Sequence, residues 1–192
     1  HSGKYCIPYK IEHIAEVFPK KQDIVCDIGF GMATNLIDQA VSNDDFNYLG
    51  LEVYPPGVGS ALAGIAKNAC ENIKIIQHDA VEVLNNMVPD NYFVKVQLLY
   101  PDPWPKKRHH KRRIISPSFL NSIARVLKSG GVFQVITDWD PYADYIKDLF
   151  VVKYSHDAQN SLEMHTDGSF LSFSILLNDK NEFEGGGTYF DD

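Results

Sequence analysis

Five short apolar runs, each followed by an acidic residue, constrain the fold of this chain more than any other feature. The runs begin near residues 23, 47, 73, 94 and 131, and stretches with helical character separate them. Strands that alternate with helices are typical of a parallel sheet covered by helices on both faces. The sequence therefore predicts an α/β fold with a mostly parallel, doubly wound sheet.

Six helices are predicted around these strands. They cover residues 8–19, the stretch from the glycine-rich turn to about 41, and residues 56–70, 80–87, 116–128 and 141–150. The first prediction rests on the helical spacing of apolar residues before Pro19. The fifth rests on Ser116 as a cap, Pro117 just inside the helix and Gly130-Gly131 as a stop.

The acids that follow the five strands are Asp27, Glu52, Asp79, Asp102 and Asp138. One acid at the end of a strand is usually a helix cap or a turn former. In open α/β sheets, however, ligands bind outside the carboxyl ends of the strands. Five acids at equivalent places are therefore expected to line a single cleft.

A glycine-rich turn follows the first strand and indicates a nucleotide site. Gly29 and Gly31 allow a tight turn and a close approach of ligand to backbone. Thr34 stands where the dinucleotide pattern requires a third glycine, which disfavours NAD and leaves a mononucleoside such as S-adenosylmethionine. Glu52 lies 25 residues after Asp27, where a carboxylate can accept the hydroxyls of a ribose.

The stretch 97–113 combines a strand end, a proline-stiffened turn and a basic run. Asp102 lies between Pro101 and Pro103, and each proline restricts its own backbone and that of the residue before it. Trp104 follows, and its flat ring can pack or stack. Residues 106–113 then hold six Lys or Arg and two His, which suits phosphate binding. The plainer alternative is a stiff loop followed by a solvated charged surface.

The charge is unevenly distributed. The formal net charge is −7, but residues 150–192 carry two basic and eight acidic residues, so residues 1–149 are nearly neutral. A local basic patch decides phosphate binding more than the overall charge does. Three cysteines without CxxC spacing favour reduced thiols in a cytoplasmic protein, and no zinc or other metal site is expected. No apolar run approaches the roughly 20 residues that span a membrane.

Several motifs together resemble the bacterial tRNA (guanine-N(7)-)-methyltransferase family. They begin at Asp27 (DIGFGM), Leu51 (LEVYPPGVG), His78 (HDAVEVL), Pro101 (PDPWPKKRHHKRR) and Thr137 (TDWDPYA). The resemblance covers about residues 20–150 and implies a Rossmann-like class I S-adenosylmethionine-dependent methyltransferase. It also implies tRNA as the partner, a cytoplasmic location, and a monomer or homodimer.

The resemblance also implies roles for individual residues. Asp27, Glu52 and Asp79 would contact S-adenosylmethionine together with Gly29 and Gly31. Asp102 would be the catalytic acid, while Lys106 and Asp138 would contact the substrate. The run from Arg108 to Arg113 would face tRNA; it comprises Arg108, His109, His110, Lys111, Arg112 and Arg113.

The last 42 residues do not fit this family, so the chain divides into a methyltransferase part, 1–150, and an atypical β-rich tail, 151–192. The tail lacks the Thr-x-x-Glu motif of the family and resembles part of an iron/2-oxoglutarate dioxygenase. His165 and Asp167 would be two of its three iron ligands. An alternative function is thus an oxygenase fragment fused to an inactive tRNA-binding methyltransferase fold. The alternating apolar residues of 170–177 and the strand-like run Thr188-Tyr189-Phe190 predict a hairpin that pairs with the sheet edge.

Overall fold

The structure, a computed structural model, describes residues 4–10, 14, 17–154, 162–167 and 170–177, and from residue 150 onward it describes the backbone alone. Its strands are Asp23–Ile28 (β1), Phe46–Leu51 (β2), Ile73–Ile76 (β3), Phe93–Leu99 (β4), Leu127–Thr137 (β5), Leu162–Asp167 (β6) and Phe170–Leu177 (β7). Its helices are Thr34–Ser42 (α1), Pro55–Asn68 (α2), Ala80–Asn86 (α3), Pro117–Val126 (α4) and Asp140–Tyr154 (α5), with a 3-10 helix at Lys107–Arg112.

The seven strands form one sheet in the order β3-β2-β1-β4-β5-β7-β6. Strands β1 to β5 are parallel, and β7 runs antiparallel to β5. Helices α1 and α2 cover one face with buried residues such as Leu36 and Ile65, while α3, α4 and α5 cover the other with residues such as Leu84 and Ile123. The predicted doubly wound, mostly parallel sheet is confirmed.

The direction of winding reverses between β1 and β4. Strand β1 is flanked by β2 on one side and by β4 on the other, with Asp27 opposite Gln97. The loops after β1 and β4 therefore leave the sheet toward opposite faces and open a crevice between them. This crevice is where the fold places a ligand.

The helix predicted over residues 8–19 is not found in the described part of that stretch. The described residues of that stretch, 8–10, 14 and 17–19, are not helical, whereas Ile11 and Ala15 lie outside the described residues. The preceding chain pairs beside β3: the Ile7 amide donates to the Ile75 carbonyl at 2.8 Å and the Ile75 amide to the Tyr5 carbonyl at 2.9 Å. Pairing with an edge strand satisfies the backbone there, and Ile14 is still buried in the core.

The fifth strand begins earlier than the glycine pair predicts. Helix α4 ends at Val126 and β5 starts at Leu127 without an intervening loop. The pairing with β4 then jumps, because Phe93 lies opposite Leu127 and Lys95 opposite Val132. Gly130, with φ of +73°, lies in this irregularity. The two glycines thus mark a bulge in the strand rather than the end of the helix.

The tail extends the same sheet. Strand β7 pairs with β5 from Gly131–Leu177 to Thr137–Leu171, and β6 pairs antiparallel with β7. The strand over 170–177 and its place at the sheet edge are as predicted, but its described hairpin partner is β6, and the strand-like residues 188–190 lie outside the described part of the chain. The remaining tail residues, 155–161, 168–169 and 178–192, lie outside the described part of the chain.

Candidate active site

The glycine-rich turn after β1 forms one side of the crevice. Gly29 and Gly31 have φ of +69° and +56°, a left-handed backbone that glycine adopts without steric cost. A Cβ at either position would meet no atom within 4 Å, so the backbone faces open space. The Gly29 amide donates to the Leu51 carbonyl at 2.8 Å, which ties the turn to the end of β2. A flat ligand can therefore lie directly on this backbone.

Glu52, which follows β2, holds the glycine turn from the other side. One carboxylate oxygen accepts from the Gly31 amide at 2.8 Å, and the other accepts from the amides of Val53 and Tyr54 at 2.8 and 3.0 Å. A carboxylate offers about four acceptor positions. Three are used here, so Glu52 has room for about one ribose hydroxyl without rearrangement.

The start of α2 packs tightly under the same turn. A Cβ on Gly57 would come within 2.2 Å of the Gly31 carbonyl oxygen, so any side chain at Gly57 forces the turn to move. The Ser60 hydroxyl, one turn further along α2, donates to the Met32 carbonyl at 2.9 Å. Sequence reasoning missed both residues. The signal available for Gly57 was its place directly after Pro55-Pro56 at the helix entry.

Asp27 lies below the turn, 2% exposed, near the end of β1. Burial raises the pKa of its carboxyl from 3.8 to about 7, because burial disfavours the charged form. Repulsion from Glu52 adds to the rise, and the positive charge of Lys95 opposes it. Burial likewise lowers the pKa of Lys95, with Asp27 acting in the opposite direction. A cationic ligand group near Asp27 would favour its ionised form.

Asp79 follows β3 and caps α3, because its carboxylate accepts from the Glu82 amide at 3.0 Å. Its side chain remains exposed. The neighbouring His78 is stacked on Tyr9, with ring centroids 3.7 Å apart, and lies 2.6 Å from the carboxylate of Glu82. Asp79 is therefore a helix cap. The described hydrogen bonds use one of its two carboxylate oxygens.

The turn after β4 forms the opposite side of the crevice and presents Asp102 to solvent. Tyr100 and Trp104 bracket this turn with positive φ values of +53° and +45°. Such a backbone costs an aromatic residue on the order of 1–3 kcal/mol and persists only where the surroundings impose it. The Tyr100 amide donates to the Ile136 carbonyl at 2.8 Å, which fixes the start of the turn to β5.

The basic run folds into the 3-10 helix and covers Trp104. The Arg112 guanidinium lies over the indole at 4.9 Å, and His109 meets it edge-on at 5.9 Å. Lys106 and the exposed members of the run, Lys107, Arg108, Lys111 and Arg112, face solvent, while His109 and His110 are half-buried. The stretch therefore presents a continuous positive surface next to Asp102, as a phosphate-binding surface requires.

Arg113 differs from the rest of the run. It is 7% exposed and lies against the rings of Trp139, Tyr142 and Tyr145, so it does not share the solvent-facing surface expected from the sequence. The basic run alone does not show this difference, because Arg113 directly continues it. The apolar pair Ile114-Ile115 directly after Arg113 is the signal that the chain turns inward there.

Asp138 lies exposed between β5 and α5. The preceding Thr137 is buried, and its hydroxyl accepts from the Trp139 amide at 3.3 Å, which shapes the turn at the start of α5. Four of the five acids follow the carboxyl ends of their strands, and Asp27 is the penultimate residue of β1, as predicted. Asp27 and Glu52 are buried, whereas Asp79, Asp102 and Asp138 are open to solvent.

A family model described as "Putative methyltransferase" matches residues 21–171. A tRNA (guanine-N(7)-)-methyltransferase from Photorhabdus laumondii subsp. laumondii is 39% identical over 170 residues, which cover 88% of this chain and 69% of that protein. The chain belongs to the tRNA (guanine-N(7)-)-methyltransferase family. A member from Shewanella amazonensis is 44% identical over 154 residues, 80% of this chain and 64% of that protein. The chain thus spans less than two thirds of several curated family members.

Solved structures share the fold of this family member. A putative S-adenosyl-L-methionine-dependent methyltransferase from Methanococcus maripaludis superposes with a TM-score of 0.61 at 19% identity, covering 86% of this chain and 82% of that one. A putative methyltransferase from Streptococcus mutans, solved in complex with SAH, gives a TM-score of 0.59 at 13% identity and covers 82% of this chain and 89% of that one. The Rossmann-like methyltransferase fold is therefore confirmed.

The dioxygenase interpretation of the tail finds no support. The family match continues to residue 171, across His165 and Asp167, and β6, which contains both, belongs to the methyltransferase sheet. The side chains of these two residues lie outside the described ones. Among the side chains that the structure does describe, no group of three His, Cys, Asp or Glu is placed to hold a metal ion. In the described part of the chain, no helix has the length and apolar character needed to cross a bilayer.

Proposed function

We propose that this family member transfers a methyl group from S-adenosylmethionine to N7 of a guanine in tRNA. The observation that carries the proposal is the position of Asp102. Two prolines and a constrained backbone hold it at the edge of the crevice, opposite the glycine turn and beside the exposed basic 3-10 helix. One site thus combines a fixed acid, a nucleoside cradle and a phosphate-binding surface.

The residues of the glycine turn fit S-adenosylmethionine. Gly29 and Gly31 leave the backbone open to a ligand, and Glu52 retains an acceptor position for a ribose hydroxyl. The buried carboxyl of Asp27 suits a cationic group, and Asp79, exposed at the start of α3, is proposed as a further contact. When bound there, S-adenosylmethionine supplies an electrophilic methyl group on a sulfonium.

The acceptor chemistry places modest demands on the protein. N7 of guanine carries a lone pair and no proton, so attack on the methyl group needs no general base. Asp102 accepts hydrogen bonds from the N–H groups on the Watson–Crick edge of guanine and so orients the base. Its negative charge also offsets the positive charge that grows on the ring during transfer. Lys106 and Asp138 are proposed as further substrate contacts at the same edge.

The exposed cations of the basic 3-10 helix supply affinity for tRNA. Contacts to phosphates position the RNA but do not read its sequence. The proposed contacts are Arg108, His109, His110, Lys111 and Arg112, and of these Arg108, Lys111 and Arg112 are exposed. The partner is tRNA, and the expected location is the cytoplasm.

The test is methyl transfer from labelled S-adenosylmethionine to an unmodified tRNA transcript, followed by mapping of the labelled base. The expected result is label on guanine N7. Asp102→Asn preserves the shape of the side chain but removes its charge and turns one acceptor into a donor, so we expect kcat to fall by about 10²–10³-fold. Label on another atom, or an Asp102→Asn variant with unchanged kcat, would refute the proposal.

A further inference from the structure

Arg113 connects three parts of the site that are separate in sequence. Its Nε donates to the Pro103 carbonyl at 2.8 Å, immediately after Asp102. Its guanidinium lies 4.6 Å from the ring centre of Tyr145, 4.9 Å from that of Tyr142 and 6.0 Å from that of Trp139. These rings belong to α5 and to the turn that carries Asp138.

The backbone of Arg113 also ends the basic 3-10 helix, because its amide donates to the His110 carbonyl at 3.0 Å. One residue therefore fixes the turn of Asp102, the end of the RNA-facing helix and the start of α5 relative to one another. Burial raises the pKa of Tyr142 in this cluster to about 12, and the positive charge of Arg113 opposes that rise.

We propose that Arg113 is a positioning residue for Asp102 rather than a contact to tRNA. A planar guanidinium can stack on aromatic rings and donate in its own plane at the same time, whereas the ammonium of lysine has no flat face. Arg113 thereby holds the strained turn between Tyr100 and Trp104 in the geometry that presents Asp102 to the base. This inference rests on the function proposed above, since it assigns a role within that reaction.

The test compares Arg113→Lys with wild type in single-turnover methyl transfer at saturating tRNA, together with tRNA binding over a range of salt. Arg113→Lys keeps the positive charge and loses the stacking plane. We expect the transfer rate to fall by about 10- to 100-fold, because small displacements of catalytic groups are costly. The dissociation constant for tRNA and its salt dependence should stay within about twofold, because no phosphate contact is lost.

Two comparison variants separate the possible explanations. Lys111→Ala removes an exposed cation and should weaken tRNA binding and reduce the salt slope by about one. Arg125→Lys is a matched structural control, because Arg125 donates to the carbonyls of Leu84 in α3 and of Val88 just after it, before the start of β4 and away from the Asp102 turn at its other end. If Arg113→Lys behaved like Lys111→Ala, or lost no more activity than Arg125→Lys at an equal drop in Tm, the proposal would be overturned.

Substitution of Tyr145 tests the same stacking contact without changing Arg113. Tyr145→Leu removes the nearest ring, whereas Tyr145→Phe keeps the ring and loses only the hydroxyl bond to the Ile115 carbonyl. The rate with Tyr145→Phe should be closer to wild type than the rate with Tyr145→Leu. Equal rates in the two variants would argue against a role for stacking.

Hydrogen exchange gives a measurement that does not depend on activity. Within residues 100–106, Tyr100, Asp102, Trp104 and Lys106 carry an amide proton, and that of Tyr100 donates to the Ile136 carbonyl. Exchange at these amides should be faster in Arg113→Lys than in wild type and unchanged in Arg125→Lys. If wild type transferred no methyl group, the proposed function would fail, yet faster exchange would still support the positioning role. Unchanged exchange over 100–106 would overturn it in either case.

Discussion

Asp27 is a buried acid that shares the site with a second acid, Glu52, and with Lys95. Its raised pKa means that the folded protein retains a proton that the unfolded chain releases at lower pH. The folded state then binds more protons than the unfolded state between about pH 4 and pH 7, so stability falls as pH rises through this window. This pH dependence of stability can be tested by replacing Asp27 with its uncharged isostere, asparagine.

Asp27→Asn should remove this pH dependence. Between pH 4 and pH 7 the free energy of unfolding of wild type should fall relative to that of the variant. The rise of the Asp27 pKa from 3.8 to about 7 limits this fall to about 4 kcal/mol. Denaturant unfolding of both proteins at several pH values measures it directly. Parallel curves for the two proteins would show that Asp27 titrates normally in the fold.

The basic run shows, at the scale of single residues, where sequence reasoning succeeds and where it ends. The proline-flanked Asp102 and the exposed Arg112 could be located from their neighbours alone. For Arg113, the apolar pair Ile114-Ile115 indicates an inward turn, but its partners Trp139, Tyr142 and Tyr145 lie 26 or more residues away, so only the fold shows these contacts. Burial of one arginine among exposed ones is a tertiary property.

At the scale of elements, the contact between α2 and the glycine turn decides the shape of the nucleoside cradle. Gly57 lies at the entry of α2 and has no room for a side chain, because the Gly31 carbonyl lies where its Cβ would be. Gly59 is on the same helix two residues later, and a Cβ there would meet nothing within 4 Å. Substitution by alanine can therefore be compared at Gly57, where a Cβ has no room, and at Gly59, where it has.

Gly57→Ala should displace the glycine turn and weaken binding of S-adenosylmethionine by at least about tenfold, since the obstructing atom is backbone and a small misplacement is costly. Gly59→Ala should leave binding unchanged and stabilise α2 by about 0.5–1 kcal/mol, because alanine is the better helix former. Calorimetric binding and thermal unfolding of both variants measure the two effects. Equal affinity in both would show that the turn tolerates movement.

The predicted helices and strands agree with the structure where local sequence signals favour the same conformation that the fold requires. Strand β1 begins at residue 23 as predicted, and Ser116 caps α4 by accepting from the Phe119 amide at 3.3 Å. The helix predicted over 8–19 rests on apolar spacing alone, and the described residues of that stretch are not helical. Just before it, Cys6 pairs with Ile75 of β3, a contact that the spacing does not reveal because the two residues lie far apart in sequence.

At the scale of the whole molecule, the order of the strands assembles the site. The sequence identifies the glycine turn and the Asp102 turn, but their placement on two sides of one crevice follows from the adjacency of β1 and β4. The tail also shows that strand pairing, not local sequence, decides which part of the fold a segment belongs to. Its sequence resembles a dioxygenase over a short stretch, but the antiparallel pairing of β7 with β5 places it in the methyltransferase sheet.

The central claim is that the crevice directs a methyl group to the N7 lone pair of guanine. The most direct measurement compares methyl incorporation into a tRNA transcript made with guanosine and into the same transcript made with 7-deazaguanosine, in which a C–H group replaces N7. Incorporation into the guanosine transcript alone, with both transcripts bound equally, is the predicted result. Equal incorporation into both would contradict the account, because the methyl group would then be going to another atom.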